Sequence, residues 1–217
     1  MERIPIYFVP GLGANSKIFE YLELPEERYE LHYLDWLVPT GVDESITSYA
    51  QRMCNGIQHP NPVLVGVSFG GVMVQEMSKL IPTRKTIIIS SVKSKAELPK
   101  RLRLARATKA YKLFPTKTMS NIEAYEKYAF TGLTKKRVAL YKKYMSMNDT
   151  LYLPWAIHNV LHWNQDLPNE EVLHIHGSAD GVFPIKHIKN SLIIEGGTHT
   201  MILNKAKKIS SLLIAHI

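Results

Sequence analysis

The stretch from Val63 to Val74, V-L-V-G-V-S-F-G-G-V-M-V, restricts the fold more than any other part of this 217-residue chain. Val63 to Val67 is an uninterrupted apolar run of strand length, the pattern of a parallel strand covered on both faces. From Gly70 to Leu80 the spacing is that of a helix, through Val72, Met73, Gln75, Glu76, Met77 and Leu80, and Pro82 stops it. Only the turn Gly66-x-Ser68-x-Gly70 lies between them. A strand that passes so directly into a helix forces the central residue into a strained backbone conformation. Side chains two residues to either side would collide with neighbouring backbone. The lone hydroxyl of Ser68 is thereby presented above the sheet, at a helix start whose first N–H groups lack partners and whose dipole end is positive. The rival reading, a phosphate-cradling glycine loop, lacks the lysine of the P-loop pattern.

The rest of the chain repeats the alternation. Strands are expected at Ile4 to Val9, Tyr29 to Trp36, Thr86 to Ser90, Val172 to His176 and Ser191 to Ile194. Helices are expected at Ser45 to Ile57 and Lys205 to Ala215. Strand–helix alternation implies an α/β fold, a mostly parallel sheet with helices on both faces. Strand character disappears from Lys93 to Trp163, which reads as helices broken near Pro115, Gly132 and Asn148-Asp149. The expected organisation is a core built from 1–93 and 165–217 that carries an inserted helical segment, 94–164.

The net charge of +8 belongs to that insertion. Lys93 to Lys143 holds 15 Lys or Arg against Glu97, Glu123 and Glu126, so the remainder of the chain is net negative. With no aromatic-interleaved strand beside it, such a block argues against a nucleic-acid partner and for either a solvated helical face or attraction to an anionic small molecule. No apolar run approaches the ~18 residues that span a bilayer, so stable membrane insertion is not expected. The opening Met-Glu-Arg-Ile-Pro lacks signal-peptide character. The single cysteine, Cys54, lies on an apolar helix stripe and cannot form an internal disulfide. A cytoplasmic monomer or homodimer is expected.

The elbow, the chain order and two later loops together resemble the α/β-hydrolase superfamily over nearly the whole chain. His176-Gly177-Ser178-Ala179-Asp180-Gly181-Val182-Phe183-Pro184 looks like that family's H-G-x-x-D-x-x-x-P loop after the penultimate strand. Gly196-Gly197-Thr198-His199-Thr200-Met201 looks like its histidine loop after the last strand. The resemblance implies a Ser68, Asp180, His199 triad, in the family's order of serine, acid, histidine. It further implies an oxyanion hole made by the backbone N–H groups of Leu12 and Phe69, and a cap formed by the insertion. Many relatives have His-Gly where this chain has Pro10-Gly11, which removes a supporting side chain.

The chemistry stands without the family name. A serine hydroxyl is a poor nucleophile at neutral pH unless an imidazole takes its proton, and that imidazole needs a carboxylate on its other nitrogen. Ser68, Asp180 and His199 each follow an expected strand, and the loops after parallel strands open on one edge of the sheet. No carboxylate stands between Ser90 and Glu97 to compete with Asp180, and Glu195 reads as structural. His174 and His176 alternate on a strand and read as packing or local hydrogen-bonding groups. His158 and His162 have a metal-compatible i, i+4 spacing but no third ligand at a recognised spacing, so no metal site is assigned. Trp155, His158, Trp163 and Met201 are expected to line a pocket, and Met145, Met147, Leu151 to Leu153 and Ile157 either its wall or the seam between cap and core.

The activity expected is hydrolysis of a small or medium carboxylic ester or thioester (EC 3.1 class), with an anionic substrate group as the option the basic segment raises. It requires no cofactor. The alternatives are an acyltransferase, lyase or C–C bond hydrolase using the same triad, or a non-catalytic ligand-binding protein of this fold.

Overall fold

The computed structural model describes residues 2–113 and 143–217. The expected breaks at Pro115 and Gly132, and the central part of the insertion, lie outside the described residues.

Six strands form one parallel sheet in the order β2-β1-β3-β4-β5-β6: β1 (Ile4–Val9), β2 (Tyr29–Tyr33), β3 (Val63–Val67), β4 (Lys85–Ile89), β5 (Leu173–Gly177) and β6 (Leu192–Ile194). The helices are α1 (Ile46–Cys54), α2 (Phe69–Ser78), α3 (Lys100–Thr108), α4 (Tyr152–His162), α5 (Met201–Asn204) and α6 (Ala206–His216), with short 3-10 turns at Ser16–Phe19, Lys95–Glu97, Ala110–Leu113 and Ile185–His187. Because strand side chains alternate, each central strand feeds two cores. Tyr7, Val9, Leu64 and Ile88 face α1, α2 and α4, whereas Ile6, Phe8, Val63, Val65, Ile87 and Ile89 face the Ser16–Phe19 turn, α5 and α6. This two-sided burial is why the strands read as continuous apolar runs.

Most element ends fall within one or two residues of expectation. Two departures are larger: α1 ends at Cys54 instead of Ile57, and β2 stops at Tyr33 instead of continuing to Trp36. Trp36 leaves the sheet to stack on Phe69, with ring centroids 5.1 Å apart, and its indole N–H bonds to the Gly11 carbonyl at 2.9 Å. A buried indole that finds both an aromatic face and an acceptor outweighs one more residue of edge-strand pairing.

The insertion leaves and re-enters the core at one hydrogen-bonded neck. Lys95 donates its N–H to the Gln165 carbonyl, and the Gln165 side chain donates to the Lys93 carbonyl, each at 2.9 Å. Asp149 starts α4 by accepting the N–H groups of Leu151 and Tyr152 at 2.8 and 2.9 Å. The inner face of α4, with Tyr152, Leu153, Trp155 and Ala156, is buried in the same core as Trp36, Tyr49 and Phe69, so these residues form a seam. Trp155 donates to the Glu44 carbonyl and Trp163 to Glu76, both at 2.8 Å. Cys54 is buried and its thiol is pushed up to about 11 by burial, as suits a packing residue. Among the described residues no helix is long and apolar enough to cross a membrane.

The elbow has no room for side chains. A Cβ on Gly66 would lie 2.2 Å from the Gly70 carbonyl oxygen and 2.6 Å from the Gly71 nitrogen, all backbone atoms. A Cβ on Gly70 would lie 2.3 Å from the carbonyl oxygens of both Val9 and Pro10. Gly66→Ala should therefore cost at least ~2 kcal/mol of unfolding free energy in urea titrations, because backbone must move. Gly181→Ala, with nothing within 4 Å of the added carbon, should stay within about 0.5 kcal/mol of wild type. Equal effects would show that the close approach at the elbow is not limiting.

Candidate active site

Three loops at the carboxyl edge of the sheet carry the polar chemistry. The first is the elbow itself, where Ser68 has φ 54° and ψ −117°. That conformation is tied down at three points. Ser68 N–H donates to the Ile89 carbonyl at 2.9 Å, and the Ser68 carbonyl accepts from Gly71 N–H at 2.9 Å and from the Ser91 hydroxyl at 2.7 Å. Strained backbone persists only where its surroundings over-determine it, and these bonds do so here.

The second loop follows β5 and bears Asp180; the third follows β6 and bears His199. They are stitched together by Ala179 N–H donating to the Gly197 carbonyl at 2.9 Å, and by the Ser178 hydroxyl, which donates to Glu195 at 3.0 Å and accepts from Gly196 N–H at 2.8 Å. Glu195 is thus a loop-bracing residue. The result is a continuous chain: Ser68 Oγ lies 2.9 Å from His199 Nε2, and His199 Nδ1 lies 2.9 Å from Asp180 Oδ2. The other carboxylate oxygen accepts from Val182 and Phe183 N–H groups at 2.7 and 2.9 Å. Burial pushes the Asp180 carboxyl up, but the bond from His199, the neighbouring charge and the Phe183 amide outweigh it and hold it below the ordinary carboxylate range.

The two strand histidines support this loop from beneath. His176 is held low chiefly by burial, and His174 lower still by burial and by the nearby His176 and Lys93, so both are neutral near pH 7. A neutral imidazole has one N–H. His176 Nε2 is 2.9 Å from the Phe183 carbonyl, which only accepts, so its proton sits there. His176 Nδ1 is then an acceptor, and His174 Nε2 donates to it at 3.0 Å. Staying neutral, His176 does not compete as a cation for Asp180, although its Nε2 is only 3.7 Å from Oδ2. Arg101 of α3 reaches the same loop and donates to the Val182 carbonyl at 2.9 Å and also to that of Gly181.

The Leu12 amide sits in the loop after β1, and the Phe69 amide opens α2. Among the described residues neither donates a hydrogen bond to the protein. A Cβ on Gly11 would lie 3.7 Å from Ser68 Cβ, so this loop runs beside the serine. The Gly11 carbonyl and the Leu12 N–H belong to one planar trans peptide and point opposite ways. By accepting from Trp36 Nε1 at 2.9 Å and Ala14 N–H at 3.0 Å, the Gly11 carbonyl fixes the direction of the Leu12 amide. Trp36 therefore braces the loop that contains Pro10. No sequence pattern pointed to it, since its partner lies 25 residues away.

The four residues expected to line a pocket do not converge. Trp155 and Trp163 are buried in the α1/α2/α4 core, and Met201 in the core on the opposite face of the sheet. His158 is exposed, bonded to Tyr111 Oη at 2.9 Å and stacked on His162 at 4.1 Å.

No family model matches the chain, and no curated protein matches it significantly. Solved structures do. A lipase-esterase related protein from Clostridium acetobutylicum superposes with a TM-score of 0.65 at 20% identity, covering 98% of this chain and 94% of the other. An esterase from Exiguobacterium antarcticum gives 0.61 at 19% identity over 98% and 91%. An epoxide hydrolase from Bacillus megaterium gives 0.69 at 15% identity over 99% and 93%. These likenesses establish the fold: the chain has the α/β-hydrolase fold.

The lowered Asp180 carboxyl has a consequence for stability. A depressed group contributes stability that is present above its unfolded value, ~3.9 for aspartate, and is lost as pH falls through the lower folded value. The stability gap between wild type and Asp180→Asn should therefore be widest near neutral pH and narrow as pH falls below about 4. Urea midpoints across that range test it. A gap independent of pH would mean that Asp180 gains nothing from ionisation in the fold.

Proposed function

We propose that this α/β-hydrolase-fold protein is a serine hydrolase of small or medium carboxylic esters or thioesters, working through an acyl-enzyme on Ser68. The observation that carries the reading is the unbroken 2.9 Å and 2.9 Å relay from Ser68 to His199 to Asp180, built on a strained elbow that exposes the hydroxyl. His199 Nε2 takes the Ser68 proton as Oγ bonds to the acyl carbonyl carbon. The carbonyl π electrons move onto oxygen, and that oxyanion is received by the Leu12 and Phe69 amides at the positive end of α2. The imidazolium then gives its proton to the departing alkoxide or thiolate. A water, deprotonated by His199, attacks the acyl carbon, and the His199 imidazolium then gives that proton to Ser68 Oγ as its bond to the acyl carbon breaks and the acid leaves. Asp180 holds Nδ1–H, which fixes the tautomer and stabilises the imidazolium without being protonated itself.

The neighbouring structures include enzymes named for ester and for epoxide hydrolysis, so the fold alone does not choose the reaction. The side chain at the elbow favours acyl chemistry, since an alkoxide forms a hydrolysable ester with an acyl group. We further assign 94–164 as a cap over this edge. Its neck at Lys93, Lys95 and Gln165 and the Arg101 tether to the Asp180 loop support the assignment. Lys100 and Arg103 on α3 are exposed and support an anionic group on the substrate.

A fluorophosphonate probe should label wild type and not Ser68→Ala. Across p-nitrophenyl esters and acyl-CoA thioesters of graded chain length, Ser68→Ala should lower kcat/KM by at least ~10³-fold. An anionic substrate should lose more rate than a neutral one as salt rises. Equal labelling of the two proteins would remove Ser68 from the role, and product trapped on an added alcohol instead of water would reassign the activity to acyl transfer.

A further inference from the structure

Away from the serine relay, three metal-ligating side chains meet at the edge of the sheet. Glu30 and His32 are two residues apart on β2 and so project from the same face. His59, in the segment between α1 and β3, comes to lie against them, and one donor atom from each residue falls within 4.8 Å of the others. Glu30 Oε1 is 3.0 Å from His32 Nε2 and 3.7 Å from His59 Nε2. Ligands about 2.0–2.2 Å from a tetrahedral zinc stand roughly 3.4 Å from one another, a value these two distances bracket.

The surroundings orient the rings as a metal site requires. His59 Nδ1 is 2.8 Å from Tyr7 Oη, which also accepts the Gln58 N–H at 3.0 Å, so the ring is pinned with Nε2 toward Glu30. His32 pairs with Tyr7 in the β1–β2 register and stacks on it at 4.5 Å with planes 14° apart. His32 Nε2 is buried and makes no hydrogen bond among the described residues, although Glu30 Oε1 lies 3.0 Å away. A buried nitrogen left unpaired beside a second imidazole and a carboxylate is costly, and a shared cation relieves it. Arg3, exposed, touches only the other carboxylate oxygen, at 3.3 Å.

We propose that Glu30, His32 and His59 form a three-ligand site for a divalent transition metal of the zinc type. Two imidazoles and one carboxylate suit such ions better than Mg²⁺ or Ca²⁺. The ligands come from β2 and the α1–β3 segment, so the ion acts as a clasp holding the edge strand to the helix layer. None of them belongs to the loops bearing Ser68, Asp180 and His199.

The test is calorimetric titration of chelator-treated full-length protein with Zn²⁺. Wild type should bind one ion, and a rise in thermal midpoint should accompany saturation. His32→Gln/His59→Gln and the milder Glu30→Gln should each weaken binding by more than ~100-fold, and Tyr7→Phe, which removes only the orienting hydroxyl, by ~10–100-fold. His158→Gln/His162→Gln, which removes the stacked histidine pair of α4, should leave the titration unchanged. Circular dichroism and fluorophosphonate labelling report whether each variant is folded, independently of the metal. In Co²⁺-loaded wild type, visible absorption of a four-coordinate site should appear and be absent from Glu30→Gln. No Zn²⁺ site in wild type, unchanged affinity in folded Glu30→Gln, or loss of the site in the His158/His162 variant would each overturn the proposal.

Discussion

The close approach of backbone to backbone at the β3–α2 elbow is the constraint on which the rest of this molecule depends. Gly66 lies against the Gly70 carbonyl, and Gly70 against the carbonyls of Val9 and Pro10, so the elbow and the loop after β1 are locked together. Both expected oxyanion amides, Leu12 and Phe69, lie on these two segments, and Trp36 fixes the direction of the first. The strained φ of Ser68 is a local cost. It is offset by bonds to Ile89, Ser91 and Gly71, which come from β4, the segment after it and α2. Serine placement is thus a property of the packed sheet and not of the turn alone.

Polarity is organised in layers behind that edge. Asp180 is buried yet ionised because every oxygen has a donor, from two amides and from His199. Beneath it, burial keeps His176 and His174 neutral, and they pass a single direction of hydrogen bonding toward the Phe183 carbonyl. A charged His176, 3.7 Å from Asp180 Oδ2, would draw the carboxylate away from His199. The low dielectric that makes unpaired polar groups expensive is what makes this arrangement directional.

The aromatic seam couples the insertion to the core. Tyr49 and Trp155 stack at 4.2 Å, Trp36 stacks on Phe69, and the two tryptophans of α4 and its end donate to Glu44 and Glu76. Trp155 and Trp163, expected to line a pocket, are packed into this seam. Large aromatic side chains bury the most area, and they serve the interface between layers before they serve a ligand.

Much of this was legible in the residues alone. The apolar run Val63 to Val67 and the glycines about Ser68 follow from local rules: strand period, helix period and turn sterics act over a few residues. Asp180 and His199 were picked out by the resemblance of their loops to those of α/β-hydrolases. Those local rules also explain why the boundaries of α2 and α6 shift by so little. They did not reach Trp36, whose acceptor is 25 residues away, the His174–His176 relay that ends on Phe183, or the meeting of Glu30 and His32 with His59. Nine histidines look alike in sequence; burial and the nearest acceptor distinguish them, and both arise only when separate segments pack. The chain's local pattern determined the sheet, the elbow and the order of its polar loops. Tertiary packing decided which side chains brace them, because a hydrogen-bond partner is chosen by proximity in space.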